Sequence, residues 1–225
     1  KTPKTNNPEF FDGATPFVTP SDMTGERMIY HTGRSLSEAG VRSVKNCVVP
    51  KGAVMVSCIG SDMGKAHITA TQSVTNQQIN TIIVNEREFS PLFVYYNLYG
   101  RRSEMREKAG GAAQPILNKT DFGKVEIEFP PLAEQRKVAA VLGALDDKIE
   151  VNRKASATLE KMAGLLYCSW FVDFDPVWAK REGRQPAQMD AATAALFPDS
   201  FGEDGLPLGW RLASVREVSE QIART

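Results

Sequence analysis

The spacing of side chains over residues 138–170 constrains this chain more than any other feature. Val138, Leu142, Leu145, Ile149, Asn152, Ser156, Leu159, Ala163, Leu166 and Trp170 follow one another at steps of 4, 3, 4, 3, 4, 3, 4, 3 and 4. That is the 3.5-residue repeat of a coiled-coil seam, held for more than four heptads. Pro130-Pro131 closes the preceding segment and suits a first helical turn, where the missing N–H of proline has no partner to lose. No further proline follows until Pro176. The pattern predicts one helix over residues 130–172, about 60 Å long at 1.5 Å per residue. Such a helix cannot bury its seam against itself, so the seam calls for a partner helix from another repeat or another chain. Asn152 and Ser156 interrupt it near the middle, where a buried Asn costs stability but fixes register or partner. Gly143 and Gly164 each cost about 1 kcal/mol relative to Ala in a helix and are expected points of close approach. The competing arrangement is a core helix packed on its own domain; the regularity of the repeat argues against it.

Residues 1–129 carry a different pattern. Val48-Val49-Pro50, the apolar run Ala53 to Ile59, Ile79 to Val84 and the alternating Val125 to Phe129 read as short strands separated by turns such as Lys51-Gly52. A helix is expected from Ser90-Pro91 through Leu92 to about Lys108, stopped by Gly110-Gly111. Polar residues gather in four expected loops, Thr15 to Ser21, Ser57 to Lys65, Thr75 to Asn80 and Gly110 to Lys119. The fold class is therefore α+β, a mixed α/β domain with short twisted strands, plus a long coiled-coil helix. After that helix, Asp173 to Pro186 is rich in breakers and charges, Gln188 to Phe197 reads as a short Ala-rich helix, and Gly202 to Gly209 as a linker. Trp210 to Thr225 reads as the opening of a further unit.

Net charge is zero over 225 residues, so bulk charge does not point to nucleic acid. Residues 1–125 nevertheless hold 15 Lys+Arg against 11 Asp+Glu, leaving the remainder acidic. A basic half beside an acidic half suits one face for phosphate and another for protein. Cys47, Cys58 and Cys168 have no CxxC spacing, and His31 and His67 have no ligand-spaced neighbours; neither a disulfide frame nor a metal site is expected. No cofactor motif is present. No signal peptide is evident and no apolar run approaches the ~20 residues of a membrane span, so the expected compartment is the cytoplasm, with no membrane partner.

Several short matches to enzyme motifs lack their context. Asn7-Pro8-Glu9-Phe10 lacks the second proline and the glycine-rich turn of amino-methyltransferases. Asp121-Phe122-Gly123 stands without the other kinase elements. Gly60 to Lys65 has neither the spacing nor the following helix of a phosphate-binding loop. No nucleophile–base pair accompanies them.

Pro130-Pro131-Leu132-Ala133-Glu134-Gln135-Arg136-Lys137-Val138, with Leu142, Leu145-Asp146-Asp147-Lys148-Ile149 and Asn152-Arg153-Lys154, resembles the start of the spacer helix in type I restriction-modification specificity subunits. Ser169 to Val177 is similar to that helix's end, and Leu206-Pro207-Leu208-Gly209-Trp210 to the start of a recognition domain. Thr15 to Met23, Ile59 to Lys65, Asn76-Gln77-Gln78-Ile79 and Ala109 to Gln114 follow the pattern of a target recognition domain in the right order. The resemblance implies a target recognition domain (main part) at 1–129, a spacer helix at 130–172, a linker with a short helix at 173–205, and at 206–225 an opening segment that completes 1–129 in cis or in a partner chain. It also implies a half-subunit, either circularly permuted or a fragment, where the family arranges two domains and two helices in alternation.

A subunit of this kind implies double-stranded DNA, methyltransferase (modification) subunits and a restriction/translocase subunit as partners, no chemistry of its own, and a homodimer through the spacer helix. Arg and Lys pair with guanine and with phosphate, Asn and Gln with adenine. On that basis the expected base readers are Asn76, Gln77, Gln78, Gln114 and Asn118, and the expected phosphate contacts are Lys4, Arg34, Lys65, Arg101, Arg102 and Lys119. Gln77 is equally open to a fold-holding role. The alternative is a coiled-coil assembly scaffold or decoy that binds methyltransferase subunits without productive DNA reading.

Overall fold

The computed structural model describes residues 2–109 and 116–219. The chain forms two compact units, Lys1–Val151 and Asn152–Thr225.

The first unit is built on two four-stranded sheets. In one, β1 (Phe11–Val18) lies between β3 (Ser35–Leu36), its antiparallel partner, and β7 (Ser73–Thr75), its parallel partner, and β4 (Val48–Val49) joins the far edge of β7. In the other, β5 (Val54–Ser57) is flanked by β6 (Ala66–Thr69) and β8 (Ile79–Ile82), both antiparallel, with β2 (Met28–Ile29) parallel to β6 at the edge. Every residue of β5 and β6 is buried. This accounts for the continuous apolar run read from the sequence, since a strand covered on both faces has no reason to alternate. Val54, Val56, Met63 and Ile68 pack with Val94 and Leu98 of α2 (Pro91–Tyr99) and Met105 of α3 (Arg102–Lys108). Met55 and Ile79 face the other way, onto Val18, Met23 and Ile29. Phe17, Leu36 and Val74 form a third cluster with Val44, beside α1 (Glu38–Ser43).

Four local expectations change. The single helix expected over residues 92–108 is two helices, because the chain leaves helical geometry at Arg101 (φ −102°, ψ 23°) after Gly100. Thr15 to Val18 is the end of β1 and not a loop. Among the described residues Val125 to Phe129 has no strand partner; Val125 and Ile127 still pack on the core, so the alternation is realised by packing without a ladder. Residues 175–181, expected to be irregular, form α6 (Asp175–Arg181), whose first turn holds Asp175 and Pro176 as helix starters.

Helix α5 spans Leu132–Phe171, 40 residues, close to the expected bounds. Its buried side chains are Gln135, Ala139 and Gly143, four residues apart. None belongs to the heptad seam. Successive residues stand about 100° apart around a helix, so the stripe through Ala139 and Gly143 runs beside the stripe through Val138 and Leu142, and Gln135, one heptad before Leu142, stands where the two meet. The seam residues Val138, Leu142, Leu145, Ile149, Asn152, Ser156, Leu159 and Ala163 are exposed. Gly143 meets the expected close approach: an added Cβ would lie 3.4 Å from Leu92 and 3.6 Å from the Arg27 guanidinium. Gly164 has open space around it among the described residues.

In the second unit, the end of α5 meets an aromatic cluster. Trp170 packs edge-on to Phe197, and Phe171 stacks with Trp210 at 6.2 Å. Trp170, the last seam residue, is thus half-buried within its own unit. Lys180 of α6 donates to the carbonyl oxygens of Ala194 and Phe197 and so holds the end of α7 (Ala191–Ala195). Leu208, Leu212 and the α8 residues Val215 and Val218 (helix Val215–Val218) are exposed.

Candidate nucleic-acid interface

A groove of about 610 Å³ opens in the first unit. Val48, Val49, Ile82, Leu98, Phe122, Val125 and Ile127 supply apolar lining; Asn46, Asn76, Gln77, Asn80 and Lys119 supply polar groups. Three of the expected DNA-contacting residues, Asn76, Gln77 and Lys119, are therefore brought together, the first two adjacent in one turn and the third from a short helix distant in sequence. Asn46, exposed on the turn before β4, is an addition that composition did not single out.

The local structure explains how each is placed. Asn76 accepts the Gln78 N–H at 3.0 Å and donates to the Gln78 side chain at 3.1 Å, an Asx turn between β7 and β8. That turn is what projects Gln77, which is exposed and accepts from the Thr2 hydroxyl at 3.1 Å. Asn118 caps the short helix α4 (Lys119–Phe122) by accepting the Asp121 N–H at 2.9 Å, so its oxygen is engaged within the chain. Lys124 and Asn118 hold the exposed Asp121 carboxyl below its ordinary range. Asn80 donates to the Cys58 sulfur at 3.1 Å.

The remaining expected contacts lie elsewhere. Arg102 donates to the carbonyls of Met63 at 3.0 Å and Ser61 at 2.6 Å, and Arg106 to that of Ser61 at 2.7 Å. The loop is drawn so tightly onto α3 that a Cβ on Gly64 would come within 2.9 Å of the Arg102 backbone. Arg101 bonds Glu104 and the Glu126 carbonyl. Lys65 pairs with Asp62 at 2.7 Å. Exposed Arg34 lies over the rings of Phe17 and Phe11, 5.5 and 5.9 Å from their centroids. Lys4 is exposed near the amino-terminal end of the described chain. Gln114 lies outside the described residues. Among the described residues no group of three His, Cys, Asp or Glu side chains is arranged to hold a metal ion, and no helix is long and apolar enough to cross a membrane.

A second constellation escaped the residue-by-residue reading: the anchor that holds the sheets to α5. Gln135 is fully buried. Its oxygen accepts the Ser90 N–H at 2.9 Å; its amide donates to the carbonyls of Pro130 at 2.8 Å and Glu88 at 3.3 Å. Two and three helical turns further along, Arg27 donates to the Gly143 carbonyl at 3.3 Å, to the Tyr96 hydroxyl at 3.2 Å and to Asp147 at 2.7 Å, and lies 3.7 Å from Asp146. Tyr96 in turn donates to Asp146 at 2.7 Å. Burial, then this bond to Asp146, push the Tyr96 phenol up to about 12, so it keeps its proton and remains a donor. Burial works against the Arg27 charge, but its bonds to Tyr96 and Asp147 outweigh it and raise the guanidinium's pKa. A sequence signal existed: a lone Gln in line with Ala139 and Gly143, on a stripe next to the seam.

Residues 1–161 match the family described as the type I restriction modification DNA specificity domain, and the chain belongs to that family. It is similar to the type I restriction enzyme MjaIX specificity subunit of Methanocaldococcus jannaschii, 32% identical over 178 residues, which cover 78% of this chain and 41% of that protein. It is also similar to the type I restriction enzyme HindI specificity subunit of Haemophilus influenzae, 32% identical over 163 residues, covering 68% and 35%. A solved structure concerned with complex assembly and conformational transition of the type I R-M system superposes with a TM-score of 0.54 at 18% identity, covering 74% of this chain and 39% of its own; that likeness shows the fold. The chain spans about two fifths of the first of these curated relatives and about a third of the second.

Proposed function

We propose that this chain is a DNA-recognition subunit of a type I restriction-modification complex, reading sequence without catalysing a reaction. The observation that carries the reading is the match of residues 1–161 to a DNA specificity domain. The groove adds a chemical basis: the exposed amides of Asn46 and Gln77, able to pair with adenine edges, beside a lysine able to meet phosphate. Methyltransferase and restriction subunits are the partners it would direct to the site.

The exposed seam of α5 pairs with a second copy of the same helix in this proposal, giving a two-fold dimer with two equivalent recognition domains. The seam's heptad order and its separation from the anchoring stripe support the pairing.

The test is duplex selection from a random library, followed by titration of the selected site at ~50 and ~200 mM salt. Recovery of a repeated half-site, with log K falling linearly against log salt, is expected. Failure to enrich any sequence, with binding indifferent to salt, would leave the scaffold alternative.

A further inference from the structure

We infer that Arg27 is a positioning residue: its clamp on Gly143 and Asp147 fixes the angle between the recognition domain and α5, and thereby the distance between the two DNA half-sites. The inference rests on the proposed function in its last clause only.

The geometry is that of two points on a line. Gln135 fastens the helix start to the backbone at Ser90, Pro130 and Glu88. Asp147 lies twelve residues on, about 18 Å along the axis at 1.5 Å per residue. One point of attachment is a pivot. The second, held by Arg27 together with the Tyr96–Asp146 bond, stops the helix from swinging about the first. Between them the buried residues are small: Ala139 and Gly143 present no side chain large enough to interlock with α2, and a Cβ added at Gly143 would lie 3.4 Å from Leu92. Resistance to swinging therefore falls to the directed bonds. Arg27 suits that task because a guanidinium is a planar fork that engages several acceptors at fixed angles. Its four neighbours here, the Gly143 carbonyl, Tyr96, Asp146 and Asp147, include three groups from two successive turns of α5. The Arg27 side chain is largely covered while Asp147 stays mostly exposed, so the clamp closes at the edge of the contact, where leverage against swinging is greatest. Arg27 itself sits just before β2 and its carbonyl accepts the Ile68 N–H at 2.9 Å. The clamp thus acts on the sheet that also bears β8, one wall of the groove.

The experiment compares wild type with Arg27→Met, which keeps the stem and removes the fork, and with Arg27→Lys, which keeps the charge but offers a single point donor. Spin labels at Lys51→Cys and Ala144→Cys, in a Cys47→Ser, Cys168→Ser background and diluted with unlabelled chain, read the domain-to-helix distance by pulsed electron resonance. One narrow distance is expected for wild type, a distribution at least twice as wide for Arg27→Met, and an intermediate width for Arg27→Lys. Duplex selection on the same unlabelled variants should return the same half-site bases, but with the single preferred spacing of wild type spread over neighbouring spacings, one base-pair step being ~3.4 Å. A distance distribution unchanged in Arg27→Met overturns the inference, as does a broadened distribution with an unchanged half-site spacing. If wild type enriches no sequence at all, the proposed function fails instead, and the spin-label measurement still decides whether Arg27 holds the angle.

Discussion

Replacing Gln135 by Leu tests whether the buried glutamine, and not general packing, fastens the helix to the sheets. The two side chains are close in volume, so the change opens little cavity; what it removes is polar pairing. The Ser90 N–H and the Pro130 carbonyl lose bonds of 2.9 and 2.8 Å, while the Glu88 carbonyl, on an exposed residue with a longer bond of 3.3 Å, can turn to water. A buried polar group stranded in this way costs about 1–3 kcal/mol. The Ser90 amide is buried and the Pro130 carbonyl half-buried, so the expected loss is about 2–4 kcal/mol, at the high end of single substitutions. With an m-value of about 2 kcal/mol/M, the urea midpoint followed by far-ultraviolet circular dichroism should fall by ~1.5 M at unchanged slope. Hydrogen exchange at the Ser90 amide gives a local reading of the same event and should accelerate strongly. A loss below ~0.5 kcal/mol, with Ser90 still protected, would refute the reasoning, because it would mean that water or a small shift satisfies those groups at almost no cost.

Other outcomes follow from the same structure. Leu145→Asp puts a charge in the exposed seam and should convert a dimer to a monomer by light scattering; a chain that stays dimeric would show that the seam is not the interface. Gly164→Ala, with nothing within 4 Å of the added Cβ and a position outside the heptad seam, should stabilise the chain by about 1 kcal/mol in thermal unfolding. Lys119→Ala should weaken DNA binding across all sequences and lower the salt slope by about 1, since one phosphate contact contributes ~0.9. His67 is buried in β6, and burial, with Lys65 nearby, lowers its pKa from 6.5 to about 4. Between those values the unfolded chain binds the proton and the folded chain does not, so stability falls as pH drops from ~6.5 to ~4, by up to about 3 kcal/mol; His67→Gln should flatten urea midpoints over that window.

The long helix was legible because a seam needs ten positions to agree, and residues 138–170 supply them with no proline between. The buried strand β5 was legible as an apolar run for a similar reason, whereas β6, with His67 and Thr69, has no such run. What escaped depended on partners far away in sequence. Val125 to Phe129 alternates like a strand, but alternation records which side chains meet the core, and ladder pairing needs a neighbour that this segment lacks. Leu92 to Lys108 reads as one helix because its side chains are compatible with one; the break at Arg101 comes with bonds that this residue makes to Glu104 and Glu126. Asn76, Gln77 and Lys119 were named for their chemistry, and folding brings them to one groove; Arg102, named for its charge, is spent on the carbonyls of residues 61 and 63. The Arg27 clamp spans 120 residues of sequence, a separation at which no local pattern points from one partner to the other.

The helix α5 is grasped on one stripe and left open on another, with no side chain common to both. Substitutions on the two stripes that lie several turns apart, such as at Gln135 and Ile149, should then add in free energy without an interaction term, as distant contacts lacking shared partners do. Such a rod is divisible in its selection pressures. Variation at Gln135, Ala139 and Gly143 answers only to the domain that sits there, and variation at Leu142, Leu145 and Ile149 only to whatever lies across the seam, so either association can be retuned through successive single changes while the other is held constant.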